Sequence, residues 1–416
     1  APADWPTYRA DVARTAVTNQ SLGAPARKVW EAKAAGELTP PVAVGNLVFF
    51  GSSDERVRAL DAATGKPRWS FYAAGPVRAA PAYWKGRLYF GSEDGWVYCL
   101  AATDGRLLWK LRAAPFARRQ AAFGRMVSAW PVRQGLAVAG GRVHFACGRV
   151  PDQGVIAYTL EAADGKVISR VSLRSVIPSG YAAVGAGKVF LPGGKKSPPV
   201  QLDSRGEKRV KVGGYGQFEE VSLVAGGPAD GAGFGAGFLV HGGGGVGRGH
   251  PRKPRVYGYP YYLLPGNAKA LEPVNKARNS AFGDVNSFLP VFGPKRVYFR
   301  RAGQLVAVDR AKLSELRAVR NDSYQINRQG RKRGLPRDRF PCWKAGELPC
   351  GKPEWAVFSS GTVLTGGPKG VTALNAADGK PLWSVEFPEG TLSPAIARGR
   401  VFLTSKTGKA YCLAKR

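Results

Sequence analysis

The sequence predicts an all-β protein, an eight-bladed β-propeller of four-stranded antiparallel blades. The first observation is a recurring motif of Leu, small residues, a glycine turn and, in most copies, a closing Trp, at 60–69, 100–109, 160–166 and 374–383. The second is that short apolar or β-branched runs precede the copies, such as 47–50 and 87–90, which is typical of strands. The third is a spacing of about 40 residues or more, which is typical of blade repeats.

The turn residues justify the strand boundaries. An acceptor residue before glycine, as in Asp104-Gly105 and Asp378-Gly379, fits a tight turn because its side chain accepts bonds from nearby N–H groups and glycine takes a positive φ. The Trp after the turn opens the last strand, so we assign this position to packing between blades; it is occupied by Trp30, Trp69, Trp109 and Trp383. Other tryptophans lie outside this position and are available to a site: Trp96, Trp130, Trp343 and Trp355.

The ring closes between the two ends of the chain. Clear turns occur at Gly65, Gly105, Gly165, Gly206 and Gly379, and degenerate copies are centred near Gly266 and 308–312. The last unit, 409–416, stops where its Trp strand should begin, and residues 27–33 supply that strand. Because this leaves no open sheet edge, we expect eight blades, or seven if one degenerate copy is only a long loop. Residues 27–416 then form one propeller, with 1–26 as an N-terminal segment packed on it.

The pattern Ala-x-Asp-x-x-Thr-Gly-x-x-x-Trp resembles the repeat of the pyrroloquinoline quinone (PQQ)-like β-propeller superfamily. Residues 5–15 resemble the N-terminal segment of its secreted bacterial members, and 95–132 resemble a group common in planctomycete-type genomes. The resemblance covers nearly the whole chain and is weakest between 210 and 345. It implies the propeller fold. It does not imply one activity, because the same repeat serves both quinone-dependent dehydrogenases and outer-membrane assembly scaffolds.

A PQQ/Ca-dependent alcohol or sugar dehydrogenase is the enzymatic alternative. The resemblance implies that such enzymes hold PQQ on the propeller axis with a Ca²⁺ bound by carboxylate and amide side chains, an Asp base, a Trp floor and often adjacent cysteines. This chain has no adjacent cysteine pair, and a turn accounts for Asp284 and Asn286. No hydrolase or zinc motif surrounds His144, His241 or His250. We therefore predict no catalytic residue, no metal site and no cofactor.

The charge of the chain favours an acidic partner. Lys and Arg number 62 against 29 Asp and Glu, a net charge of +33. Such a field attracts polyanions. Two basic loops, one with tyrosines, form the predicted binding site: Arg248, Arg252, Lys253, Arg255, Tyr257, Tyr259, Arg331, Lys332, Arg333, Arg337 and Arg339. Solubility is the alternative explanation of the charge, and strand packing that of the tyrosines. No motif for sequence-specific nucleic-acid recognition occurs.

The cysteines and the first residues indicate a secreted protein. Cys342 and Cys350 flank a short Pro-containing loop and predict a disulfide, with two free thiols as the alternative. Cys99, Cys147 and Cys412 are expected to be buried thiols. The chain starts Ala-Pro-Ala without Met, consistent with removal of a signal peptide, and no apolar stretch reaches the roughly 18 residues of a membrane helix.

These observations predict a non-catalytic propeller in the periplasm or outside the cell. It would act as a rigid scaffold that binds an acidic protein, an envelope polymer or an anionic polysaccharide through basic loops on its faces, within 240–262 and 320–356. A structural subunit of an extracellular filament or envelope assembly is the remaining alternative.

Overall fold

The computed structural model describes residues 4–22, 26–122, 124–149, 153–173, 176–185, 187–192, 200–203, 209–210, 220–225, 238–243, 246–247, 255–256, 261–263, 272–273, 291–301, 303–309 and 341–415. Between residues 204 and 290 only the backbone of short strands is described. None of the described residues form a helix with the length and apolar character that a membrane crossing requires.

The strands of the first half are β1 (Val17–Thr18), β2 (Ala26–Lys33), β3 (Val42–Val44), β4 (Leu47–Gly51), β5 (Arg56–Asp61), β6 (Pro67–Tyr72), β7 (Ala82–Trp84), β8 (Arg87–Gly91), β9 (Trp96–Ala101), β10 (Leu107–Arg112), β11 (Arg119–Ala122), β12 (Arg125–Ser128), β13 (Ala137–Ala139), β14 (Arg142–Cys147), β15 (Val155–Glu161), β16 (Val167–Leu173), β17 (Ala183–Gly185), β18 (Lys188–Leu191), β19 (Val200–Leu202) and β20 (Arg209–Val210). Those of the second half are β21 (Glu220–Ala225), β22 (Phe238–Gly243), β23 (Val246–Gly247), β24 (Arg255–Val256), β25 (Tyr261–Leu263), β26 (Glu272–Pro273), β27 (Val291–Phe292), β28 (Arg296–Arg301), β29 (Gln304–Asp309), β30 (Pro341–Lys344), β31 (Trp355–Ser359), β32 (Thr362–Gly367), β33 (Gly370–Asn375), β34 (Pro381–Glu386), β35 (Ala395–Ala397), β36 (Arg400–Thr404) and β37 (Lys409–Lys415).

These strands form eight blades, which confirms the predicted fold. Seven sheets have four strands, and the sheet of blade 7 has a fifth, β1. Blades 1 to 4 are β3–β6, β7–β10, β13–β16 and β17–β20; blade 5 is β21, β22, β25 and β26; blades 6 and 7 are β27–β30 and β31–β34. Blade 8 joins the two ends of the chain, since β2 pairs antiparallel with β37 from Ala26↔Lys415 to Lys33↔Lys409.

Each repeat turn is built around its acidic residue and its glycine. In blade 1 the Asp61 carboxylate accepts bonds from the N–H groups of Ala63 and Thr64, and Gly65 N–H donates to the Asp61 carbonyl at 2.8 Å. Hydrogen bonds from Arg68 and then Thr64 lower the pKa of Asp61 to about 2. The turn therefore keeps its charge and its shape over the whole physiological pH range.

In blades 1, 2 and 3, a Trp from the preceding blade packs on this turn. A Cβ atom at Gly65 would lie 2.7 Å from the Trp30 ring, and the same approach joins Gly105 to Trp69 and Gly165 to Trp109. The Trp30 indole N–H donates to the Ala62 carbonyl at 3.1 Å, as Trp69 does to Ala102 and Trp109 to Ala162. The motif that repeats in the sequence is therefore the contact that joins one blade to the next.

Trp343 was expected outside this position, and that expectation is wrong. Its ring lies 2.6 Å from a Cβ built on Gly379, and its indole N–H donates to the Ala376 carbonyl at 3.0 Å. It is the inter-blade Trp of blade 6, displaced along the sequence by the long connection between β29 and β30. Trp383 is buried too, but its indole nitrogen has no hydrogen-bond partner within the described part of the chain; blade 8 has chain ends where other blades have a turn.

Candidate functional site

The N-terminal segment, residues 4–22, crosses the axis of the propeller. It bonds to the innermost strands of blades on opposite sides of the ring: Trp5 pairs with Ala43 in blade 1, the Val12 carbonyl accepts from Val184 N–H in blade 4 at 2.8 Å, and β1 pairs in parallel with β31 in blade 7. The free edge of an innermost strand faces the axis. The segment therefore lies inside the central channel.

Arg14 anchors this segment and is completely buried. Its guanidinium donates to the Ala182 carbonyl at 2.7 and 2.9 Å, to the Leu136 carbonyl at 2.9 Å and to the Thr7 hydroxyl at 2.6 Å. Ala182 and Leu136 immediately precede the innermost strands of blades 4 and 3. One side chain thus ties the segment to two blades.

An aromatic pair fills the channel beside Arg14. The rings of Tyr8 and Tyr181 stack with centroids 3.8 Å apart, and the Arg14 guanidinium lies 5.6 Å from the Tyr181 ring centre. The Tyr181 hydroxyl accepts a bond at 2.9 Å from Ala80 N–H, which leads into blade 2. The axis is therefore filled by packed side chains at this level.

A short hairpin inserted between blades 2 and 3 forms the most distinctive described surface. Strands β11 and β12 pair from Arg119↔Ser128 to Ala122↔Arg125. Val127 is buried on the side that faces the propeller, and strand alternation places Arg119 and Met126 on the opposite face. The hairpin lies on the face of the disc opposite to the repeat turns.

The hairpin is fixed to the propeller at its base and near its tip. Ser128 N–H donates to the carbonyl of Glu93, a buried residue whose carboxylate accepts from Arg133 Nε at 2.9 Å. Near the tip, Arg125 donates to the Ser53 carbonyl of blade 1 at 2.6 Å. These contacts join the hairpin to blades 1 and 2.

Exposed apolar side chains gather at this hairpin. Phe116 is 67% exposed, Tyr72 56% and Met126 54%, the highest values among the large apolar side chains of the described residues. Phe116 rests on Trp130 with ring centroids 5.7 Å apart, and Trp130 is held by a bond from its indole N–H to the Gln153 carbonyl. The Tyr72 hydroxyl donates to Glu55, which raises the pKa of Tyr72, while the charge of Arg119 acts in the opposite direction.

We define the hairpin surface as Tyr72, Phe116, Arg118, Arg119 and Met126. All five side chains belong to exposed residues. Arg56 adds a further cation at its edge, with its guanidinium 5.6 Å from the Tyr72 ring centre. The surface therefore combines apolar anchors with an excess of positive charge.

A comparison with known protein families assigns the chain to one of them. Residues 20–154 and 333–415, just over half of the chain, match the family described as outer membrane protein assembly factor BamB, built from PQQ-like repeats. The chain belongs to this family. No curated protein matches the sequence.

Solved structures of quinoproteins share the propeller. Quinohemoprotein alcohol dehydrogenase ADHIIG from Pseudomonas putida HK5 is similar over 99% of this chain and 80% of that chain, with a TM-score of 0.67 and 12% identity. The quinohemoprotein alcohol dehydrogenase of Comamonas testosteroni is similar over 100% of this chain and 81% of that chain, with a TM-score of 0.64 and 14% identity. A europium-containing methanol dehydrogenase is similar over 100% of this chain and 98% of that chain, with a TM-score of 0.67 and 11% identity. At these identities the likeness shows the fold alone.

The described residues of this family member do not fit a quinone with its Ca²⁺. Within the described ranges, no group of three or more His, Cys, Asp and Glu side chains could hold a metal ion. The innermost strands of blades 1 to 4 and 6 to 8 contain no carboxylate, and Arg14 and Tyr181 fill the axis between them. Asp284 and Asn286 lie outside the described residues. We therefore derive no catalytic step through PQQ.

His144 is placed as a structural residue rather than as a base. It is buried in β14, and a ring nitrogen lies 3.0 Å from the Thr159 hydroxyl. Burial, and then the charge of Arg142, lower its pKa to about 4. His241 has only its backbone described, in β22, and His250 lies outside the described residues.

The predicted basic loops are not part of the described structure. Arg255 contributes only its backbone, in β24, and the other ten predicted binding residues lie outside the described ranges: Arg248, Arg252, Lys253, Tyr257, Tyr259, Arg331, Lys332, Arg333, Arg337 and Arg339. The structure does not bring them together with the hairpin surface or separate them from it. The sequence does hold one signal for the hairpin, because Gly105 and Gly165 lie further apart than Gly65 and Gly105.

The expected disulfide between Cys342 and Cys350 is not formed in the structure. Cys342 is exposed in β30, at an irregularity in its pairing with β29. Cys350 is buried against blade 7, where its N–H donates to the Thr372 hydroxyl at 3.3 Å. The two thiols therefore face different surroundings, one solvent and the other the core. Cys99, Cys147 and Cys412 are buried and free.

Counting thiols distinguishes the two states of these cysteines. We expect a thiol reagent at neutral pH to modify one cysteine quickly in the folded protein and all five after unfolding. Cys342 is the exposed thiol, whereas burial raises the pKa of Cys99 and Cys412 to about 11 and also raises that of Cys147 and Cys350. A Cys342→Ser variant should lose the fast phase. No reactive thiol in the folded protein and only three after unfolding would instead establish the disulfide.

Proposed function

We propose that this protein is a non-catalytic, secreted scaffold that binds an acidic partner through its basic loops and its exposed basic surface. The observation that carries the proposal is the hairpin surface, where apolar side chains and arginines are exposed on a rigidly held element. Packing of Arg14, Tyr8 and Tyr181 near the axis supports it as well, because the innermost strands described there, those of blades 1 to 4 and 6 to 8, carry no carboxylate that could hold the Ca²⁺ of a quinone site. A disc of packed blades holds such a surface with little conformational loss on binding.

The family supports the same proposal. The family that the chain matches is described as an outer membrane protein assembly factor. We extend to this chain only the general role of a platform for partners, in the periplasm or outside the cell. The net charge of +33 then selects acidic partners.

Binding of a simple polyanion tests the proposal. We expect fluorescently labelled poly-L-glutamate to bind the purified protein at about 50 mM NaCl and to bind at least about tenfold more weakly at about 200 mM, because salt screens the attraction. Uncharged polyglutamine of similar length is the control. Equal affinity at both salt concentrations, or none at either, would contradict the proposal. Self-association at low salt without binding would favour a structural subunit instead.

A further inference from the structure

The hairpin surface has the composition of a protein-binding site rather than that of a glycan-binding site. Its exposed groups are a phenyl ring, a thioether and a phenol, and the neighbouring residues Arg118 and Arg119 are exposed as well, with the charge of Arg119 acting on Tyr72. Aromatic residues, Met and Arg are enriched in protein interfaces, and Met adapts its shape to apolar side chains. A sulfated or acidic glycan offers only the C–H faces of its sugar rings, whereas a peptide also offers aliphatic side chains that can pack around the thioether of Met126.

The apolar side chains are held ready for contact. Phe116 is fixed against Trp130, itself hydrogen-bonded and almost fully buried. Met126 projects from a strand whose neighbour Val127 is buried. The backbone that carries these side chains is therefore held on the propeller, which limits the conformational freedom lost on binding.

The charges around these apolar side chains indicate which charge the partner carries. Arg118, Arg119 and Arg56 are exposed around the apolar side chains. The nearby carboxylate of Glu55 accepts from the Tyr72 hydroxyl, and Asp94 is half-buried, with a hydrogen bond to Tyr98. Burial raises the pKa of Asp94. The exposed charge is therefore mainly positive, and it is complementary to carboxylates.

We propose that the hairpin surface binds an acidic peptide segment of a protein partner, in which at least one large apolar side chain packs against Phe116 and Met126 while carboxylates pair with Arg118 and Arg119. This inference rests on the proposed function and names the chemistry of the partner. It separates a protein ligand from an anionic polysaccharide, which the charge alone does not.

Met126 gives a direct reporter for the test because it is the only methionine of the sequence. Protein labelled with ¹³C-methyl methionine shows one signal from this position, and two peptides are titrated against it. One alternates Glu with Leu and Phe; the other alternates Glu with Ser. We expect the apolar acidic peptide to shift the Met126 methyl signal saturably and to bind more tightly than the Glu/Ser peptide. A sulfated oligosaccharide of similar charge should bind more weakly than the apolar peptide.

Variants assign the contacts. Phe116→Ala should weaken the apolar peptide about tenfold and leave the Glu/Ser peptide unchanged, because it removes one anchor and no charge. The double variant Arg118→Glu/Arg119→Glu should weaken both peptides more than tenfold. The matched control is Lys380→Glu/Leu382→Ala on the turn side of blade 7, where both residues are exposed. It should change neither affinity.

The outcomes separate this inference from the proposed function. If the sulfated oligosaccharide binds more tightly than either peptide, or if the peptides bind without moving the Met126 signal, the peptide site is wrong while polyanion binding stands. If no anionic probe binds at low salt, the proposed function fails and the inference fails with it.

Discussion

Replacement of Arg14 by alanine is expected to lower the free energy of unfolding by about 3–5 kcal/mol. The change removes a fully buried side chain and leaves the carbonyls of Ala182 and Leu136 without their donor inside the channel. It also leaves a cavity beside the stacked rings of Tyr8 and Tyr181. Urea unfolding followed by tryptophan fluorescence measures the loss.

Arg106→Ala is the matched control for this variant. It removes the same charge from an exposed turn residue and should cost less than about 0.5 kcal/mol. Arg14→Lys should fall between the two, because an ammonium group reaches fewer of the acceptors. If Arg14→Ala and Arg106→Ala unfold at the same urea concentration, the N-terminal segment does not dock in the channel.

Gly105→Ala should destabilise the protein by about 3 kcal/mol or more, because it combines backbone strain with a steric clash. Gly105 has a φ of +74°, and an added Cβ would lie 2.7 Å from the Trp69 ring. The indole is held by its bond to the Ala102 carbonyl at 3.0 Å, so it cannot withdraw without losing that bond. The contact between blades 1 and 2 is then disrupted, which the urea midpoint reports.

Gly86→Ala isolates the steric part of this effect. Gly86 has a φ of +78°, and nothing lies within 4 Å of its added Cβ. Its cost is therefore the conformational strain alone, about 1–2 kcal/mol. Near-equal losses for Gly86→Ala and Gly105→Ala would show that the Trp contact contributes little to the joint between blades.

The repeat architecture could be predicted because one physical contact recurs in the sequence. The Gly turn of one blade meets the Trp of the preceding blade at four described joints, at Gly65, Gly105, Gly165 and Gly379, so both residues of the contact leave a recurring signal in the sequence. Trp343 was misassigned because a long connection separates it from β29. Trp343 makes the same contact with a Gly turn as the other inter-blade tryptophans, but its distance from the preceding strand in sequence differs from theirs.

The described site could not be predicted in the same way. Arg14 bonds to carbonyl groups of blades 3 and 4, and no residue type in those blades signals a carbonyl that faces the axis. The hairpin surface depends on which face of a short strand is buried, and a single inserted hairpin shows no repeat. The basic loops predicted from the sequence have no described side chains, so their role stays a prediction.

The shared blade 8 has a consequence for biogenesis. While the chain is being made, β2 remains without its partner until β37 has appeared, and an unpaired strand recruits other strands. Damage that removes Lys409–Lys415 would recreate this state in the finished protein, with open edges on β2 and β36. Strand β2 of the damaged molecule could then displace β2 from β37 of an intact neighbour, and each displaced β2 that does not return to close a ring is an unpaired strand offered to the next molecule. The pairing of β2 with β37, which closes the ring of blades, is thus also the point from which the protein would polymerise.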